Sequence, residues 1–132
     1  MKKLLNTSIW LMIISLFFAC NKDEGPYILG EINVSDIDTV SFSMHIQPIF
    51  DANCISCHNT SHAKLNLQRT VSYDELLVSG FSASYVNTTN PARSNIYLHL
   101  VGDLSVMPPS GLLSSRNQEL VFKWIDQGAN NN

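Results

Sequence analysis

An all-α fold is what this sequence predicts, as a small domain of three to five short helices joined by long loops. Apolar residues recur at helical spacing in two stretches, Ile46, Ile49 and Phe50 early and Leu120, Val121, Trp124 and Ile125 late. Two pairs, Ser72 with Glu75 and Ser115 with Gln118, have the spacing of a capping box ahead of a helix. Gly80, Gly102 and Gly128 fall where the apolar runs stop, as helix-ending glycines do. At 132 residues the chain is long enough for one domain with its own core and too short for two ordinary ones.

Residues 1–19 belong to targeting rather than to the fold. Lys2 and Lys3 precede an almost wholly apolar run from Ile9 to Ala19, too short to span a bilayer and suited to a signal-peptide core. Leu16-Phe17-Phe18-Ala19-Cys20 resembles a bacterial lipobox, in which Cys20 becomes the acylated N-terminus after cleavage, although Phe18 is bulkier than the usual residue there. An ordinary cleaved signal that happens to contain a cysteine is the plainer alternative. Acyl chains would anchor the protein by alkyl burial, at about 0.8 kcal/mol per CH₂. Asn21-Lys22-Asp23-Glu24 resembles the lysine-plus-acidic export signal of bacterial surface lipoproteins, or is simply the start of a solvated tether. The expected address is the bacterial cell envelope, on the periplasmic side or the surface.

Residues 20–40 are expected to form the lipid-anchored tether and an extended lead-in, with Gly25, Pro26 and Gly30 among scattered acids. The domain proper is placed at 41–129, with 130–132 as a tail. Val40, Phe42, Met44 and Ile46 alternate with more polar residues and by themselves suggest a short strand. From Ile46 the period becomes helical, and Ile46, Ile49, Phe50, Asn53, Cys54 and Cys57 share one face, so the first helix is expected to run into residues 54–58. Ser43 or a polar neighbour caps it, and Pro48 is tolerated only in its first turn. A second short helix spans Tyr73 to Val78, a third opens at Ser94 and runs to Gly102, and the last ends at Gly128.

The chemistry lies in Cys54-Ile55-Ser56-Cys57-His58, the CxxCH pattern of covalent c-type haem attachment. Two thiols three residues apart can add across the two haem vinyl groups, and the adjacent imidazole then falls where it ligates iron. Cysteine usage agrees: Cys20 takes lipid, Cys54 and Cys57 take haem, and no thiol remains. A thioredoxin-like dithiol would leave His58 without a purpose and normally sits in a βαβ setting. A zinc site from Cys54, Cys57, His58 and His62 would need four ligands to converge from within nine residues, two of them adjacent. For the second axial ligand, Met107 in Met107-Pro108-Pro109 is the best candidate. Its soft thioether favours Fe(II), and Pro108 biases it away from helical angles onto a stiff loop. Core filling is the competing role for Met107. His45, His62 and His99 are rival ligands: His62 lies too near His58 to cross a haem plane, His99 sits in an apolar helix, and His45 falls at the start of the first helix, as does Met44.

These residues resemble the class I cytochrome c superfamily, especially single-haem lipoprotein and planctomycete-type domains, over about Val40 to Ala129. The likeness rests on Phe42, Ile46-Gln47-Pro48-Ile49-Phe50, the CxxCH run, Leu65-Asn66-Leu67, Asn90 to Tyr97, Met107-Pro108-Pro109 and Trp124-Ile125-Asp126-Gln127-Gly128-Ala129. It implies a small class I cytochrome c fold around one covalent haem c, with His58 proximal and Met107 distal on the iron. The terminal helix would pack on the first. Glycines common in the family near Asn90 and after the motif are missing; Asn59-Thr60-Ser61 stands in the second place. The implied activity is electron transfer to redox protein partners that the sequence leaves unidentified. No paired carboxylates or nucleophile–base pair marks an enzyme. The alternative is a haem enzyme or gas-binding sensor with an open or displaceable distal position. A low charged fraction, 14%, and net charge of −3 argue against nucleic acid as a partner. Removing residues 1–19 takes Lys2 and Lys3 away, leaving six basic and eleven acidic residues and a charge of about −5.

Overall fold

The computed structural model describes residues 33–62, 64–78 and 85–132, which belong to one compact unit. The signal segment, Cys20, most of the expected tether and the Gly80 helix stop lie outside the described residues. The fold is all-α, with no strand among the described residues. Among the described residues, the α-helices α1 (Gln47–Asn53), α2 (Ser72–Leu77), α3 (Asn95–Val101) and α4 (Ser115–Asp126) are joined by loops. The described residues also form short 3₁₀ turns at Val34–Asp36 and Pro91–Arg93 and a π turn at Phe42–Ile46.

The π turn replaces the expected strand and runs directly into α1. Phe42 and Ile46 are four residues apart and both buried, whereas Met44 between them is 69% exposed. Ser41, not Ser43, is the N-cap: its Oγ accepts from Met44 N–H at 3.3 Å, and its own N–H donates to His45 Nδ1 at 2.8 Å. The remaining orphan donors of this helix start are taken by Asn132. Its carbonyl accepts from Ser43 N–H at 3.0 Å and from the hydroxyls of Ser41 and Ser43, while its Oδ1 accepts from Phe42 N–H at 2.8 Å. Residues 130–132 are therefore docked rather than a free tail.

Two expected capping boxes are corrected. Ser72 is the first residue of α2, not its cap; it is fully buried, and its hydroxyl donates to Gln47 Oε1 instead. α4 is capped one residue earlier than expected, by Ser114, whose Oγ accepts from Asn117 N–H at 3.3 Å, while Gln118 Nε2 donates to Leu113 O. Ser94 precedes α3 as expected, but its hydroxyl accepts from Asn87 N–H at 2.8 Å across the loop. Gly102 ends α3 with φ of 88°, a left-handed conformation that glycine adopts without Cβ strain.

The core centres on Phe42, which meets the rings of Tyr73 and Trp124 at 5.2 Å and Phe50 at 6.2 Å. α4 thus packs on the segment entering α1, and its buried face is Leu120, Val121, Trp124 and Ile125. The lead-in expected to be a tether to residue 40 joins this core from Val34 onward. Val34 and Val40 are buried, Lys123 Nζ donates to Val34 O at 3.0 Å, and Gln127 bridges Val40 N–H and Asp38 O at 2.8 Å each. Trp124→Ala removes the largest fully buried side chain and the Nε1–H bond to Asn130 O. A loss of about 3–5 kcal/mol is expected in urea unfolding of the folded chain.

Candidate functional site

α1 stops at Asn53, whose Nδ2 turns back to Ile49 O at 2.8 Å, and Cys54 leaves the helical region with φ of −123°. The cysteine motif is therefore held in turns after the helix, not on its face as expected. Cys54 and Ile55 N–H both bond to Phe50 O, and Cys57 N–H reaches Cys54 O at 3.1 Å. His58 N–H also bonds to Cys54 O, at 2.8 Å, and Asn59 Nδ2 closes the run on the carbonyls of Ile55 and Ser56. The i to i+3 turn brings residues 54 and 57 together, and both thiols are free.

The thiols differ. Cys57 is exposed, whereas Cys54 packs partly against the core, and burial pushes its thiol up from 9.0 to about 11. Keeping Cys54 protonated is favoured in the folded chain, so that contribution is complete below pH 9.0 and lost as pH rises toward about 11. In haem-free protein, alkylation at neutral pH is expected at Cys57 well before Cys54, read by peptide mass mapping. Alkaline loss of stability between those two pH values should be smaller in Cys54→Ala.

His58 Nδ1 lies 3.3 Å from Leu65 O. Only an N–H can bond a carbonyl, so Nδ1 carries the proton and the Nε2 lone pair is left for a metal. Burial lowers the basicity of His58; the Leu65 carbonyl opposes this, and the charges of His62 and His99 add to it. The ring is thus favoured in its neutral, ligating form. His62 lies 4.3 Å away ring to ring, but its Nδ1 accepts from Leu65 N–H at 3.1 Å and Lys64 N–H at 3.3 Å. Its proton therefore sits on Nε2, and it serves as a turn cap. Among the described residues no three His, Cys, Asp or Glu side chains are grouped to hold a metal ion.

Met107 is half-buried in the loop after α3, with its N–H on His99 O at 3.2 Å. His99 Nδ1 is bonded to Ser105 O at 2.6 Å, which fastens helix to loop. His45 serves its own helix start. Leu104, Val106 and Leu112, at 42%, 38% and 55% exposed, are not among the residues that sequence reasoning singled out. Leu112 and Val106 flank Gly102 at the base of the Met107 loop, where a Cβ would meet them at 3.3 and 3.7 Å. Apolar side chains in a Gly-, Pro- and Ser-rich loop that its own core does not bury were the available signal. The Leu65 carbonyl, being backbone, had none.

No family model, curated protein or solved structure matches this chain. Among the described residues no helix is long and apolar enough to cross a membrane.

Proposed function

We propose that this protein is a lipid-anchored, single-haem c-type cytochrome that relays electrons outside the cytoplasm, as its resemblance to class I cytochromes c implies. The observation that carries the proposal is the CxxCH turn with two unpaired thiols and His58 protonated at Nδ1, leaving Nε2 available. The donor set suits a c-type haem. Cys54 and Cys57 would each form a thioether, the S–H adding across a vinyl C=C so that carbon takes the sulfur and its neighbour the proton. His58 would be the proximal iron ligand and Met107 the distal one. Leu104, Val106 and Leu112 would cover apolar haem surface and exclude water. A bound haem c supplies a one-electron iron couple.

In that role His58 and Met107 would both hold the iron, so little would rearrange as the electron arrives or leaves. The partners are other redox proteins meeting it in weak, transient encounters, which small interfaces suit. Cys20 would carry the lipid that keeps it at the cell envelope. It binds no substrate and is not an enzyme.

The test is the optical spectrum of the full chain matured by c-type haem machinery. Expected are haem retained through denaturation, a red charge-transfer band from methionine on Fe(III), and slow carbon monoxide binding to the reduced form. Rapid carbon monoxide binding without that band would favour the sensor or enzyme alternative. Absence of covalent haem would sink the proposal.

A further inference from the structure

We infer that Gln47 is a positioning residue for His58, acting through the Leu65–Leu67 segment; this rests on the proposed haem function. Gln47 is 1% exposed, and its amide is fully engaged. Nε2 donates to Leu67 O at 3.0 Å and Asp51 Oδ1 at 2.8 Å, while Oε1 accepts from the buried Ser72 hydroxyl. Two acceptors on one side and a donor on the other fix which way the amide faces. Asp51 is itself held by Arg69 at 2.5 Å.

The segment Gln47 grips is the one that orients the imidazole. Leu67 N–H donates to His58 O at 2.9 Å, and two residues earlier Leu65 O faces His58 Nδ1. His62 holds the other end through Leu65 N–H. Leu65 and Leu67 are buried, so the strap is pressed into the core between these grips. The Nδ1–H bond, at 3.3 Å, is at the long limit of a hydrogen bond, where a slight drift of the strap removes it. That bond governs how much electron density the ring offers a metal, because a stronger acceptor on Nδ1–H makes Nε2 a better donor. A good donor stabilises Fe(III), so slackening the strap raises the reduction potential.

The experiment compares the matured full chain with Gln47→Met, which keeps side-chain length and loses all three bonds, and Ser72→Ala, which weakens the same buried cluster but leaves Nε2 on Leu67. Expected for Gln47→Met are retained covalent haem, a higher midpoint potential, and about tenfold faster exchange of the His58 Nδ1 proton in the reduced state, as losing about one hydrogen bond's worth of restraint implies. Ser72→Ala should lower thermal stability yet leave potential and exchange at wild-type values. An unchanged potential in Gln47→Met, or equal shifts in both variants, overturns the assignment. If Gln47→Met does not fold, Gln47→Glu decides: its carboxyl donates to Leu67 only when protonated, so its potential gap from wild type should close on acidification, and a constant gap overturns the assignment. If maturation yields no covalent haem, the proposed function fails. Gln47 is then tested on the haem-free chain by the ¹⁵N ring signals of His58: the Nδ1–H tautomer in wild type, mixed tautomers in Gln47→Met, and overturned if the two agree.

Discussion

Cys54→Ala combined with Cys57→Ala is expected to leave a chain with no covalently bound haem after maturation. Haem staining on a denaturing gel and intact mass give the readout. Each single substitution should weaken or abolish normal attachment, because one thiol can form only one thioether. Both sulfurs lie in the turn closed by Cys57 N–H on Cys54 O, and neither is in a disulfide. The turn's backbone bonds do not use the thiols, so the double variant should still fold, with helical circular dichroism close to wild-type haem-free chain. Covalent haem surviving in the double variant would refute the assignment of both cysteines.

Met107→Ala should keep covalent haem, lose the red charge-transfer band and lower the midpoint potential. The sign follows from ligand softness: a thioether prefers Fe(II), so removing it shifts the couple toward Fe(III). Carbon monoxide should then bind the reduced protein rapidly. The loop itself should hold, since its tethers are backbone bonds from Met107 N–H to His99 O and Gly111 N–H to Pro108 O. Met107 is only half-buried, and truncating it should cost about 1 kcal/mol in urea unfolding. An unchanged spectrum would remove Met107 from the iron and return attention to His99.

The parts legible from the sequence were those whose cause is local. The CxxCH run stands out because its residues are contiguous, and the structure gathers them in one turn. The third and last helices could be placed within a residue, because Gly102 and Gly128 stop them locally and the last is capped by Ser114, one residue before the expected Ser115. Misreadings came where a distant group took over a local one. Ser72 looked like a cap until Gln47, 25 residues away, claimed its hydroxyl. Alternation at Phe42, Met44 and Ile46 looked like a strand because a helical turn also buries residues four apart and exposes one between. Val34 to Val40 looked like tether because its partners, Lys123 and Gln127, lie almost at the other end of the chain. The tautomer of His58 rests on a backbone carbonyl, which leaves no side-chain signature.

The grip of Asn132 on Ser41 to Ser43 spans nearly the whole domain, with partners up to 91 positions apart, and Val40 and Gln127 are 87 apart. A ribosome or an export channel delivers such a chain from the N-terminus, so the helix entering the CxxCH turn has only its local Ser41 cap until Asn132 emerges. Trp124, the side chain that closes over Phe42, also arrives late. Throughout that interval the two thiols sit on an open, unfinished segment. The contacts that close over the start of this helix are therefore among the later ones to form, when Trp124 and Asn132 reach Phe42.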